Sequence, residues 1–145
     1  MRIARTAALA SLSLLLGALL TAGTVAAAGW NPAAYTGEET IEIRTIGPEE
    51  GEYWFPVWIV VLDGQAYVRL GSRAAERMQK NTTGSEIAVK IAGQHFDRIR
   101  TEEAPDQAER VSKAMAEKYW SDVFVRFFSH PLTLRLVPAD GASGT

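Results

Sequence analysis

Few residues of this chain carry the chemistry that catalysis needs. The 145 residues include no cysteine, which excludes thiolate nucleophiles, thiolate metal sites, disulfides and a lipid-bearing cysteine. His95 and His130 are the only histidines; an imidazole can ligate a metal or move a proton. Asp97, two residues beyond His95, falls on the same face of a strand and could pair with it. No group of histidines and carboxylates has metal-ligand spacing. There is no G-x-S-x-G turn, phosphate loop or dinucleotide fingerprint, so the hydrolase and kinase classes receive no support. The distinctive feature is aromatic. Tyr53, Trp54, Trp58 and Tyr67 crowd one stretch, suited either to a core or to the wall of a flat pocket. Asn81, Thr82 and Thr83 match a glycosylation acceptor and equally match a plain loop.

Charge and the N-terminus bound the setting. Arg2 and Arg5 precede an uncharged run over 6–29 that is rich in leucine and alanine and ends in small residues. That order is the order of a secretory leader, with cleavage expected after about Ala28. The run is also long enough for an uncleaved span of about 20 residues. Export to the periplasm or the extracellular space is the expectation. Loss of 1–28 leaves thirteen basic against seventeen acidic residues. A mildly acidic domain argues against nucleic-acid binding and against charge-driven binding to anionic lipid. About 115 residues suffice for one core without disulfides.

The elements that must position these residues follow from periodicity. Residues 29–39, with Asn31, Pro32 and Gly37, have none and read as a surface segment. Ile41, Ile43 and Thr45 alternate with Glu42 and Arg44 as a one-sided strand, which Gly47 and Pro48 end. Residues 53–62 are apolar almost throughout and predict a strand buried on both faces. Asp63 and Gly64 supply a two-residue hairpin turn, and 65–70 return with Ala66, Val68 and Leu70 on one side. Ser72 is the expected cap of a short helix to about Lys80. A second hairpin turns at Ala92 and Gly93, with uneven alternation over 94–101 that predicts a bulge or an edge. Pro105 opens a helix whose apolar face is Ala108, Val111, Met115 and Tyr119. A short apolar helix with Val123, Phe124, Phe127 and Phe128 follows, then a strand over 132–137. The tail 139–145 is expected to be disordered. Strands and helices do not alternate, so the fold class is α+β, an antiparallel barrel of about six strands with two or three helices outside it.

At this point the chain resembles the split-barrel flavin-binding superfamily of FMN-dependent pyridoxamine phosphate oxidase-like and deazaflavin-dependent proteins, and within it an uncharacterised branch. The likeness rests on VWIVVLDGQAYVRLG over 57–71, which resembles the superfamily's first hairpin, and on SRAAERMQKN in the place of its short helix. It covers 40–138. It implies a barrel with a cofactor, FMN or a related flavin, in a groove often built between two subunits, hence a possible homodimer with Val123–Phe128 as the candidate patch. It also implies a phosphate held by Arg69, Ser72 and Arg73, since a guanidinium fork and a helix N-terminus both suit a dianion. Trp58 and Tyr67 would border the ring. The bland reading of the same residues, and the commoner one, is an outward strand arginine, a helix cap, a solvated helix arginine and core aromatics. Deazaflavin-dependent members carry a glycine pair before that helix and a tryptophan in it; 72–81 has neither. The resulting alternative is a cofactor-free binding or structural module of the cell envelope, with a haem-binding variant third.

Overall fold

The computed structural model of the chain describes residues 29–119 and 132–139. The expected leader, the apolar helix after Ser121 with its dimer patch, His130 and the tail beyond Ala139 lie outside the described residues. Six strands form one closed antiparallel barrel. They are β1 (Thr40–Gly47), β2 (Gly51–Leu62), β3 (Gln65–Leu70), β4 (Glu86–Ile91), β5 (Gln94–Glu103) and β6 (Leu132–Pro138), in the order β1-β2-β3-β6-β5-β4 around the wall. Helices α1 (Ser72–Gln79) and α2 (Ala108–Lys118) pack outside it. Closure leaves no sheet edge.

The period of two decides what enters the barrel. Ile41, Ile43, Val68, Leu70, Ile87, Val89, Phe96, Ile99 and Leu136 point inward and are almost wholly buried. The outward row of β2 and β3 supplies a second apolar cluster, in which Val60 and Tyr67 meet Val111 and Met115 of α2. The hairpin turns are of the kind that matches strand twist, with left-handed φ at Asp63 (52°) and Gly64 (73°) and again at Ala92 (50°) and Gly93 (74°). The uneven alternation of β5 is a bulge: the partners Ile87↔Ile99 and Val89↔Phe96 are out of step by one residue.

Three expectations are corrected. Residues 29–39 are not merely surface: one 3-10 turn, Pro32–Tyr35, sends Tyr35 into the core beside Trp30 and Phe96. The Tyr35 hydroxyl donates to Gln94 Oε1 at 2.6 Å, which lets a polar tip sit in an apolar plug. Next, β2 is buried on both faces only at its second half, where Ile59 points inward and Val60 lies under α2; in its first half Phe55 alone is buried, and Tyr53 is 39% exposed beneath the Arg77 guanidinium. Finally, the helix opened by Pro105 begins as a 3-10 turn, Pro105–Gln107, and becomes α-helical only from Ala108. Asn81 is more than a turn residue. Its side chain accepts from the Ile46 amide at 3.0 Å and donates to the Gly84 and Glu86 carbonyls, both at 2.9 Å. At 7% exposure and with both amide protons used, it is a buried bolt rather than a glycan acceptor.

Candidate functional site

Register places the first site residues in one row. Thr40 is the partner of Trp58 across β1 and β2. Ile59 and Val68 are partners across β2 and β3, so one step further along the same ladder Trp58 comes beside Arg69. All three side chains leave the barrel on its outer side, opposite to Ile41, Ile59 and Val68. A cleft of about 330 Å³ opens there; Thr40, Pro56, Trp58, Arg69, Gly71 and Met115 are among its lining residues. Its volume is at the lower end of the range for small-molecule pockets.

The N-terminal end of α1 borders this cleft through Gly71 and Ala74. The cap position is Gly71, extended at φ −70° and ψ 170°, and the first helical bond runs from the Ala75 amide to the Gly71 carbonyl at 2.9 Å. Ser72 is therefore the first helical residue and not the cap, a correction of the sequence reading. Gly71 has no side chain to take up the first-turn amides, so they remain donors at the positive end of the helix dipole. The cleft then combines a guanidinium, a helix N-terminus, one hydroxyl and an indole face. Among its lining residues there is no carboxylate, no histidine and no nucleophile. Such a set can bind and orient a planar anion, and it offers no acid or base of its own.

Trp58 has one face covered. The Tyr119 ring lies parallel to it, 8° between planes and 4.9 Å between centroids. Tyr119 is itself fixed: its hydroxyl is 2.6 Å from the Glu39 carbonyl and 2.5 Å from the Ile59 carbonyl. Lys118 Nζ donates to the Glu38 carbonyl and, at 3.1 Å, to the Ile59 carbonyl; burial pushes its pKa below the usual lysine value.

The other expected site residues are elsewhere. Tyr67 is 5% exposed, under α2 and hydrogen-bonded to Arg135 on the partner strand, so it does not line the cleft. Arg73 is exposed and faces a second hollow of about 500 Å³ on the far side of α1, with Glu49, Glu50, Arg77 and Lys80. Arg77 and Glu50 pair there at 3.1 Å, as do Lys80 and Glu76 at 2.7 Å. The expected clamp is thus split: Arg69 meets Trp58 and the start of α1, while the Arg73 side chain turns away. His95 is at neither place. It is 3.2 Å from Asp97, as its strand spacing predicts, and edge-on to Trp54, whose ring also carries Lys90 Nζ at 3.9 Å. No group that could hold a metal ion occurs among the described residues. Sequence reading missed Thr40, Met115 and Tyr119 as parts of the site. Met115 and Tyr119 were legible only as a helix face, because their contact with β2 joins segments far apart in the chain.

No protein-family model matches the chain, and no curated protein matches it. Solved structures do. A protein of unknown function from Agrobacterium tumefaciens superposes with a TM-score of 0.58 at 17% identity over 74% of this chain, which spans half of that longer chain. The heme storage protein HutZ of Vibrio cholerae matches with a TM-score of 0.54 at 14% identity, over 76% of this chain and 89% of its own. A domain-swapped dimer matches with a TM-score of 0.53 at 13% identity, over 69% of this chain and 80% of its own. At these identities the likeness is one of fold: α+β, a closed six-stranded antiparallel barrel with helices packed outside it, as the sequence leads one to expect.

Proposed function

We propose that this chain is an exported split-barrel protein that binds a planar, phosphorylated cofactor of the flavin mononucleotide kind in the cleft beside Trp58. The observation that carries the reading is the meeting of Trp58, Arg69 and the uncapped start of α1 in one hollow. These residues fit the group. Arg69 and the amides of Ser72 and Arg73 suit a phosphate dianion, and the free face of Trp58 suits a flat ring. When bound, a flavin supplies the redox chemistry, so any oxidoreductase activity resides in the cofactor. The chain's part is to anchor the phosphate at Arg69, hold the ring against Trp58 and keep water from one face through Met115 and Pro56. The absence of histidine from the described lining favours a flavin over the haem that the name of one structural neighbour calls to mind.

Export with cleavage after about Ala28 and assembly as a homodimer belong to the same reading; among the described residues no helix is long and apolar enough to cross a membrane. The small cleft supports a second reading, the cofactor-free envelope module, which has no use for Arg69. Titration with FMN separates the two. The flavin reading expects quenching of FMN fluorescence that weakens about tenfold in Arg69→Ala and changes far less in Arg73→Ala. A colourless protein that leaves FMN emission untouched at high concentration supports the module.

A further inference from the structure

We propose that the C-terminal turn of α2 is the positioning device of the cleft, with Tyr119 setting the indole of Trp58 so that one face only is open to a ligand. The geometry is over-determined. Tyr119 is 7% exposed and parallel to Trp58. Its hydroxyl lies between the carbonyls of Glu39 and Ile59, and Ile59 is the residue after Trp58 in the strand. Lys118 donates to Ile59 as well and to Glu38, so the turn grips both strands that carry the cleft, β2 at Trp58 and the approach to β1 at Thr40. Met115, one turn earlier on α2, reaches the cleft itself.

The consequence concerns ligand class and rests on the reading of the cleft given above. A ring entering the cleft adds a third layer to an existing two-ring stack. Tyr119 reaches the ligand only through Trp58, and what it contributes is independent of the ligand's phosphate. Arg69 does the opposite, since it recognises the anion and not the ring. The site therefore separates ring recognition from charge recognition, one on the α2 side and one at the start of α1.

A double-mutant cycle on the full chain tests this. Tyr119→Leu is expected to weaken FMN and riboflavin by the same factor, about tenfold, whereas Tyr119→Phe, which keeps the ring, stays within about threefold of wild type. Arg69→Ala weakens FMN alone. In the Trp58→Leu background, Tyr119→Leu adds no further loss. A ligand-free arm reads the same device: Tyr119→Leu raises acrylamide quenching of tryptophan emission, and the rise is absent in the Trp58→Phe background. Equal loss from Tyr119→Leu with and without Trp58 overturns the inference, and so does unchanged acrylamide quenching. If the wild type binds neither FMN nor riboflavin, the flavin reading fails and the quenching arm alone decides whether Tyr119 positions Trp58.

Discussion

Two of the aromatic clusters among the described residues are put together in opposite ways. Trp30, Tyr35 and Phe96 plug the barrel with tilted and edge-to-face contacts, ring centroids 5.2 to 6.5 Å apart. Tyr35 and Phe96 are buried among inward aliphatic side chains, and the half-buried Trp30 packs against them. Trp58 and Tyr119 stand outside the wall, stacked in parallel, and Trp58 also lines the cleft. The plug is the arrangement of a close-packed interior, where rings meet from several directions. The outer pair is a platform. Aromatic content alone does not distinguish a core from a binding wall; a covered back, an open front and a neighbouring cation do.

Energies should rank the two regions apart. Phe96→Ala empties a position that is 1% exposed and should cost about 3–5 kcal/mol in denaturant unfolding. Trp58→Ala removes a half-buried ring and should cost about 1–2 kcal/mol while abolishing most FMN binding. A Trp58→Ala loss as large as that of Phe96→Ala would make the platform a second core and end the comparison. Between the two stands Asn81→Ala, which takes the partner from the part-buried Ile46 amide and from the Gly84 carbonyl, while the Glu86 carbonyl keeps the Thr83 hydroxyl; a cost of about 2 kcal/mol is expected, with the cleft unaffected.

Smaller effects sharpen the boundary. Ala92 holds a left-handed φ of 50° that a side chain adopts at a cost. Ala92→Asn should stabilise by about 0.5–1 kcal/mol, seen as a higher denaturant midpoint at unchanged slope, and should leave the Trp58 side of the barrel untouched. Acid stability reports on a third region, the outer ladder behind Tyr67. Hydrogen bonding from Arg135, helped by Arg100, holds the Glu102 carboxyl below its usual pKa. Since the folded value is the lower one, the contribution is complete above the unfolded carboxylate pKa of about 4.3 and is lost as pH falls through the folded value. Glu102→Gln should flatten the acid limb of a stability profile between about pH 5 and pH 3, and added salt should shrink the difference.

Strand existence and inward facing were legible because a period of two is local: Ile41 with Ile43, and Val68 with Leu70, declare their side of a sheet within a few residues. Asp63–Gly64 and Ala92–Gly93 were legible because a two-residue turn needs left-handed φ, which Asp and Gly tolerate well and which the glycine marks even where Ala92 adopts it at a cost. The plug at Trp30 and Tyr35 was not, since its partner Phe96 lies on a strand that the chain reaches much later. The cap of α1 was misread at Ser72 because a serine before a helix is the commoner cap, whereas the extended backbone at Gly71 takes that position here.

By itself the sequence determined the strands, their inward faces, the hairpin turns and the want of a G-x-S-x-G motif and of cysteine, all properties of residues close together in the chain. Which strand closes the barrel against which, and that Arg69 joins Trp58 while Arg73 and Tyr67 do not, only the tertiary structure decided. Those outcomes depend on register across strands and on where α2 comes to rest, and both are set by packing between segments whose spacing along the chain carries no signal of their contact.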